Sequence, residues 1–416
     1  GSANTFVGAN TGYSNTTGYS NTFIGIEAGY TLDTSCCNTM IGDHAGYLVA
    51  SGYNNVFMGA YAGYHNSESD VESYSNVMIG NDAGYNSIGG NSNVFIGYRT
   101  GYENTLSFNN VFIGFESGYS NQTGSNNIFL GSAAGRSNVD GENNIFMGLE
   151  AGLSHTTGNE NIYIGNSSGK NSESGWGNTC LGFRTGEQIT TGFANTLIGS
   201  LAGLNTVSGF SNTFIGIAAG ESVDSSCCNT FMGDNAGRHA LQSHKNVFIG
   251  AFAGYNESLK DTISESNVFI GNGAGYKSIG GFNNVMIGFE SGYSNINSYD
   301  NVFMGNRSGY TNAYGNSNVF VGNHSGFNNT TGGNNVFMGY RSGYSNTTGT
   351  NNVYLGWLSG DFSTSADDNV FVGSASGNKT TTGERNTFIG THAGEKNTTG
   401  EDNTVVGAWA GDNEIL

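Results

Sequence analysis

Cysteine is the residue in this sequence with the most chemistry to offer, and four of the five cysteines come as adjacent pairs. Cys36–Cys37 and Cys227–Cys228 each sit in a Ser-Cys-Cys-Asn-Thr segment, and Cys180 stands alone. The pairs lie too far apart to bridge one another within a chain, because a disulfide needs Cα atoms about 6 Å apart. Two readings stay open for Cys36, Cys37, Cys227 and Cys228: packed or free thiols, or intermolecular disulfides between neighbouring chains in an oxidising setting. No histidine or further cysteine pair falls at ligand spacing, so no metal site is expected. The seven histidines are His44, His65, His155, His239, His244, His324 and His392, and none has a nucleophile and an acid beside it in sequence. Gly271-Asn272-Gly273-Ala274-Gly275 imitates a nucleotide loop but is a piece of a larger repeat. The glycine-aspartate nonapeptide of calcium-binding rolls is absent. We expect no catalytic, cofactor-binding or metal-binding residue, and no enzyme. Asn-x-Ser/Thr sequons at Asn15, Asn121, Asn329, Asn346 and Asn397 read as accessible glycan acceptors if the source glycosylates.

What positions these residues is a repeat. Asn, three apolar or Thr residues and then Gly recur from Asn4 to Asn403 in 24 copies, spaced by 17 residues except for two intervals of 21, Asn55 to Asn76 and Asn246 to Asn267. Numbering each copy from its Asn, position 5 is always Gly, position 8 always Ala, Ser or Thr, and position 9 always Gly. Position 10 is often Tyr and position 15 usually Gly. Positions 2 to 4 are largely β-branched or aromatic and predict a short strand. Glycine at 5, 9 and 15 predicts corners with positive φ. So short a unit cannot bury its own apolar face, so the copies must stack as rungs.

The predicted fold is all-β: one single-domain parallel β-solenoid over residues 1–416, with 24 rungs at about 4.8 Å. Position 1 should form an asparagine ladder, and the small residue at position 8 should face a narrow core. The pairs of cysteines, the longer intervals and Ser87-Ile88-Gly89-Gly90 against Ser278-Ile279-Gly280-Gly281 all recur at one offset of 191 residues, so a block of 11 rungs reads as duplicated. The extra residues, around Ser67-Glu68-Ser69-Asp70 and Lys260-Asp261-Thr262, read as a bulge on one side.

Composition agrees. There are 69 Gly, no Pro and only 11% charged residues, against 12% aromatic. Frequent Gly opposes long helices, and the aromatic content opposes disorder. A net charge of −19 repels phosphate backbones and anionic lipid. No apolar run is long enough to span a membrane as a helix.

Successive strand residues point to opposite sides, so positions 2 and 4 share a face and position 3 takes the other. Both faces are apolar, and position 3 is Phe in 16 copies. A thin coil encloses one face only. On the first reading Phe23, Phe57, Phe95, Phe112, Phe214, Phe248, Phe269 and Phe320 form an outward column that another chain covers. On the second, the Phe residues point inward and a loop covers positions 2 and 4. The terminal copies are good repeats rather than atypical caps. Leu416 falls at position 14 and Gly1 at position 15, which continues the phase from one chain's tail to the next chain's head. Asn4, Phe6, Asn403 and Val405 are then the end contacts of a head-to-tail filament.

The segment Asn93-Val94-Phe95-Ile96-Gly97-Tyr98-Arg99-Thr100 resembles the head repeat of YadA-type trimeric autotransporter adhesins, whose relatives include phage tail-fibre and bacterial surface proteins. Every copy shows the likeness, with a longer period and Phe where that family has a small residue. The resemblance implies a left-handed parallel β-roll, three chains side by side, cell-surface display and adhesion. The expected function is a structural protein of an extracellular or cell-surface filament; a trimeric adhesin head or phage fibre segment is the alternative. The expected partner is the chain itself, with a host or cell-surface glycan as a further candidate, and neither nucleic acid nor membrane insertion. Ice binding is disfavoured, because Thr occupies position 2 in only nine copies.

Overall fold

A computed structural model describes residues 1–67, 71–256 and 263–411. The chain divides into two compact units, Gly1–Phe210 and Ser211–Leu416. Each is a parallel β-solenoid, all-β among the described residues, with one coil per 17-residue repeat.

In the first unit twelve three-residue strands run from Thr5–Val7 to Thr196–Ile198, each at positions 2 to 4 of its repeat. Neighbouring strands pair in parallel and in strict register, as in Phe95 beside Phe112 and Phe112 beside Phe129. The second unit holds twelve more such strands among its described residues, Thr213–Ile215 to Thr404–Val406, with Phe214 beside Phe231 and Phe320 beside Phe337. A narrower parallel sheet joins Ser243–His244, Ser264–Glu265, Ile279–Phe282 and Ile296–Tyr299. Turn backbones also pair between rungs: Gly118 N–H donates to Ala134 C=O and Glu116 N–H to Tyr98 C=O.

The longer intervals leave the register intact, since Val56 pairs with Val77 and Val247 with Val268. Glu68–Asp70 and Lys260–Thr262, the expected bulges, lie outside the described residues, as does Leu416 with its place in the repeat phase. Ser67 is buried and bridges Val49.

The core corrects one expectation. Phe23, Phe57, Phe95 and Phe112 in the first unit, and Phe214, Phe248, Phe269 and Phe320 in the second, are completely buried. They are not an outward column. Position 3 points to the coil axis, where ring stacks on ring: centroids are 4.7 Å apart for Phe112 and Phe129, and 4.6 Å for Phe231 and Phe248. Positions 2 and 4 point outward and no loop among the described residues covers them, so Ile113 remains 38% exposed and Met338 44%. The second of the two readings therefore holds for Phe but not for its covering loop.

Corner glycines divide into two kinds. Positions 5 and 9 are left-handed, with φ near 138° at Gly114 and 59° at Gly118. At position 15 the need is space: at Gly192 a Cβ would lie 2.6 Å from Gly209 O, and only at Gly281 among the described glycines of this position is φ also left-handed, at 117°. Two other corners are left-handed with ordinary residues, position 7 (Glu116, φ 50°) and position 17 (Asn126, φ 60°).

Candidate assembly surfaces

The asparagine ladder at position 1 is what registers each rung on the next. Asn144 N–H donates to Asn127 Oδ1 at 2.9 Å, and Asn144 Nδ2 donates to Gly158 C=O at 2.9 Å within its own rung. Asn161 N–H then donates to Asn144 Oδ1 at 2.9 Å. Every polar atom of this buried amide is thus occupied, which is the condition for burying one cheaply. Position 8 adds a second row: Ser117 Oγ donates to Phe129 C=O of the next rung at 3.0 Å, and Thr100 Oγ1 to Gly114 C=O at 2.7 Å.

A third row runs at position 12. Asn121 Nδ2 donates to Asn104 Oδ1 at 2.8 Å and Asn138 Nδ2 to Asn121 Oδ1 at 2.6 Å; in the second unit Asn346 follows Asn329 at 2.7 Å. This overturns the reading of four of the five sequons as accessible acceptors, Asn15 alone being only half-buried. Asn121, Asn329, Asn346 and Asn397 are buried in the coil, where no glycosylating enzyme can reach their amides. Where an asparagine run stops, its last oxygen has no partner, as at Asn138 and Asn346.

Position 12 faces position 3 across the coil, and the two compensate. Where position 3 is Tyr, position 12 is Ser: Tyr163 O–H meets Ser172 Oγ at 3.0 Å, and Tyr354 O–H meets Ser363 Oγ at 2.9 Å. The small Cys180 is matched by the larger Ile189, both buried. Burial raises the Cys180 thiol and Tyr163 phenol pKa values. His155 also sits at position 12. Its Nε2 donates to Gly158 C=O at 2.7 Å and burial lowers its pKa to about 4.

Outside, position 10 carries stacked rings, from Tyr13 through Tyr30 and Tyr47 to Tyr64 and on from Tyr85 to Tyr119. The second unit repeats this from Tyr276 to Tyr344 through Phe327. Ion pairs cross rungs, such as Arg307 with Glu290 at 2.7 Å and Arg341 with Asp361 at 3.0 Å. His44 pairs with Glu27 at 3.0 Å, and His392 lies against Glu395 and Trp409. Positions 2 and 4 form a separate, largely apolar strip, widened in some rungs by an apolar residue at position 6, as where Ile113 and Phe115 are exposed in one rung and Met338 and Tyr340 in another.

The four predicted end residues lie in or directly before the first and last strands among the described residues. Phe6 is 38% exposed while its stacked neighbour Phe23 is fully buried. Asn4 Oδ1 accepts Asn21 N–H at 2.9 Å, and Asn403 N–H donates to Asn386 Oδ1 at 3.0 Å. Val405 pairs with Phe388 on one side only.

Cys37 and Cys228 are exposed at left-handed corners and Cys36 and Cys227 are half-buried. The hydrogen bond that Cys37 donates to Cys36 raises the Cys37 thiol pKa; burial first, then Cys228, raises that of Cys227 to about 11. Among the described residues no three His, Cys, Asp or Glu side chains converge as a metal site, and no helix is long and apolar enough to cross a membrane. Compared with known proteins, the chain matches no model of a protein family and no curated sequence.

Proposed function

We propose that this polypeptide is a non-enzymatic building block of an extracellular filament, joining further copies of itself end to end and side to side. The observation that carries the reading is the self-complementarity of a rung edge. Each rung turns an asparagine N–H and one face of its position-3 side chain toward the preceding rung, and an asparagine Oδ1 and the other face of that side chain toward the following rung. Any rung therefore templates the same rung from another copy, and an exposed parallel edge invites such pairing. In the proposed contact Asn4 N–H and the Phe6 ring are the surface of the first kind, and Asn403 Oδ1 and the Val405 side chain the surface of the second. The contact is heterologous and does not close on itself.

The side-to-side contact falls to the outward columns at positions 2, 4 and 6 in place of the Phe rings. The apolar side chains that recur at positions 2 and 4 of each unit, with a large residue such as Phe115 or Tyr340 added at position 6 in some rungs, are the pattern expected of a surface that another copy covers. The resemblance to adhesin heads suggests a second arrangement, three copies closed around this same strip. Negative-stain microscopy and light scattering of the 416-residue chain separate the two. Filaments many chain-lengths long are expected, whereas a monodisperse monomer removes the reading and a closed trimer replaces it with the adhesin-like one.

A further inference from the structure

We propose that Cys36–Cys37 and Cys227–Cys228 are two redox-modification sites, each closing a disulfide between adjacent residues of one chain. The proposal does not depend on filament formation.

The geometry comes from the corner at positions 16 and 17. In an extended strand, consecutive side chains point to opposite faces and adjacent cysteines are kept apart. Here the second residue of each pair is left-handed, φ 64° at Cys37 and 65° at Cys228, which swings both thiols to one side. The Cys37 thiol donates to Cys36 Sγ at 2.9 Å, and the Cys228 thiol donates to Cys227 Sγ at 2.9 Å. Non-glycine residues recur at position 17 with similar φ, such as Asn126 at 60° and Asp402 at 60°, so the rung imposes this conformation on whatever residue it receives.

The two sites have different surroundings yet the same geometry. Cys36 lies beside Tyr19 and Tyr53 in a shallow groove. Cys227 N–H donates to His244 Nδ1 at 3.3 Å, and Lys245, paired with Glu265, occupies the next rung. The same left-handed corner occurs in rungs of other local sequence, so the corner, not the flanking residues, sets this geometry.

With a low-molecular-weight disulfide such as glutathione disulfide as oxidant, the step balances. The exposed Cys37 or Cys228, as thiolate, attacks one sulfur of the oxidant and releases one glutathione. The neighbouring Cys36 or Cys227 then attacks the resulting mixed disulfide, forming the Cys–Cys bond and releasing the second glutathione. Two protein thiols are oxidised, one disulfide bond of the oxidant is reduced, and the two thiol protons end on the two glutathiones. The second step is intramolecular between sulfurs already in contact, an advantage that another chain at micromolar concentration cannot match. The partner thiol is also half-buried in both pairs, so another chain meets only one sulfur of each.

The test is to incubate the reduced chain with glutathione disulfide above pH 8, alkylate it under denaturing conditions, and map the peptides by mass. All five cysteines are free before oxidation. Labelling is expected to fall from five cysteines to one, Cys180, with each paired peptide lighter by two hydrogens and no covalent dimer on a non-reducing gel. In Cys36→Ser and Cys227→Ser, the remaining thiol of the altered pair should keep its glutathione at least ten times longer than in the parent chain. Persistent glutathione on the parent chain, or covalent dimers as its main product, overturns the proposal. So does equal adduct lifetime in parent and variants. Both substitutions lie at surface corners, and circular dichroism of each variant confirms that it remains folded.

Discussion

At the scale of single residues, the coil is held by amides and glycines whose roles can be separated. Asn144→Ala removes a bond to Gly158 C=O and strips Asn161 N–H of its acceptor in a buried row. A stranded buried donor costs about 1–3 kcal/mol, so the variant should lose about 3 kcal/mol in urea denaturation, and exchange of the Asn161 amide should be the first to accelerate. Gly101→Ala should be worse, because φ is +59° and a Cβ would lie 2.7 Å from the Phe95 ring. His155 gives a pH signature. Its pKa of about 4 lies below the ordinary 6.5, so the unfolded chain binds the proton first as pH falls. This contribution is intact above about pH 6.5 and is lost between there and pH 4, to a total of about 3 kcal/mol. His155→Asn should flatten that part of the stability curve measured by urea melts, because an amide at this place can continue the row that stops at Asn138 Oδ1.

At the scale of the strand, the decisive fact is which side faces in. Phe112→Ala opens a cavity in a stack of rings and should cost about 3–5 kcal/mol, whereas Ile113→Ala, one residue along and outward, should cost under about 1 kcal/mol. Equal losses in thermal or urea melts would contradict the placement of the rings. Ile113→Lys should leave the circular dichroism spectrum unchanged while suppressing side-to-side association. The sequence showed the alternation of this strand plainly but not its inward side, because Val, Phe and Ile are all apolar and the pattern has no polar face to mark the outside. Position 12 was missed for the opposite reason: Asn, Ser and Thr look like loop residues. The pairing of Tyr163 with Ser172 and of Cys180 with Ile189 was the available signal, two positions whose sizes vary together within one rung.

At the scale of the molecule, stability is local. A repeat touches only its neighbours, so a lesion in one rung opens that region without a cost spread over the chain. The proposed association sets the apolar strips against a net charge of −19. Salt screens the repulsion, and lowering the pH toward the isoelectric point near 4.5 removes it. Light scattering should therefore rise with sodium chloride and as the pH approaches 5. Phe6→Lys and Val405→Lys should shorten filaments without altering their width, while Ile113→Lys should do the reverse. If all three behave alike in micrographs, the separation into end and side contacts is wrong.

The sequence alone determined the period, the strand and the position-1 ladder, since a strictly spaced Asn and Gly can be satisfied only by stacking. Tertiary structure decided the rest. Inside and outside were settled by ring volume around a narrow axis, and the role of Gly at position 15 by an approaching carbonyl. The fate of the sequons followed from a second amide row closing inside the coil. The shared direction of the cysteine pairs came from a left-handed corner at position 17. Each depends on what the neighbouring rung or the far side of the coil places within a few ångströms, which is information no single repeat carries.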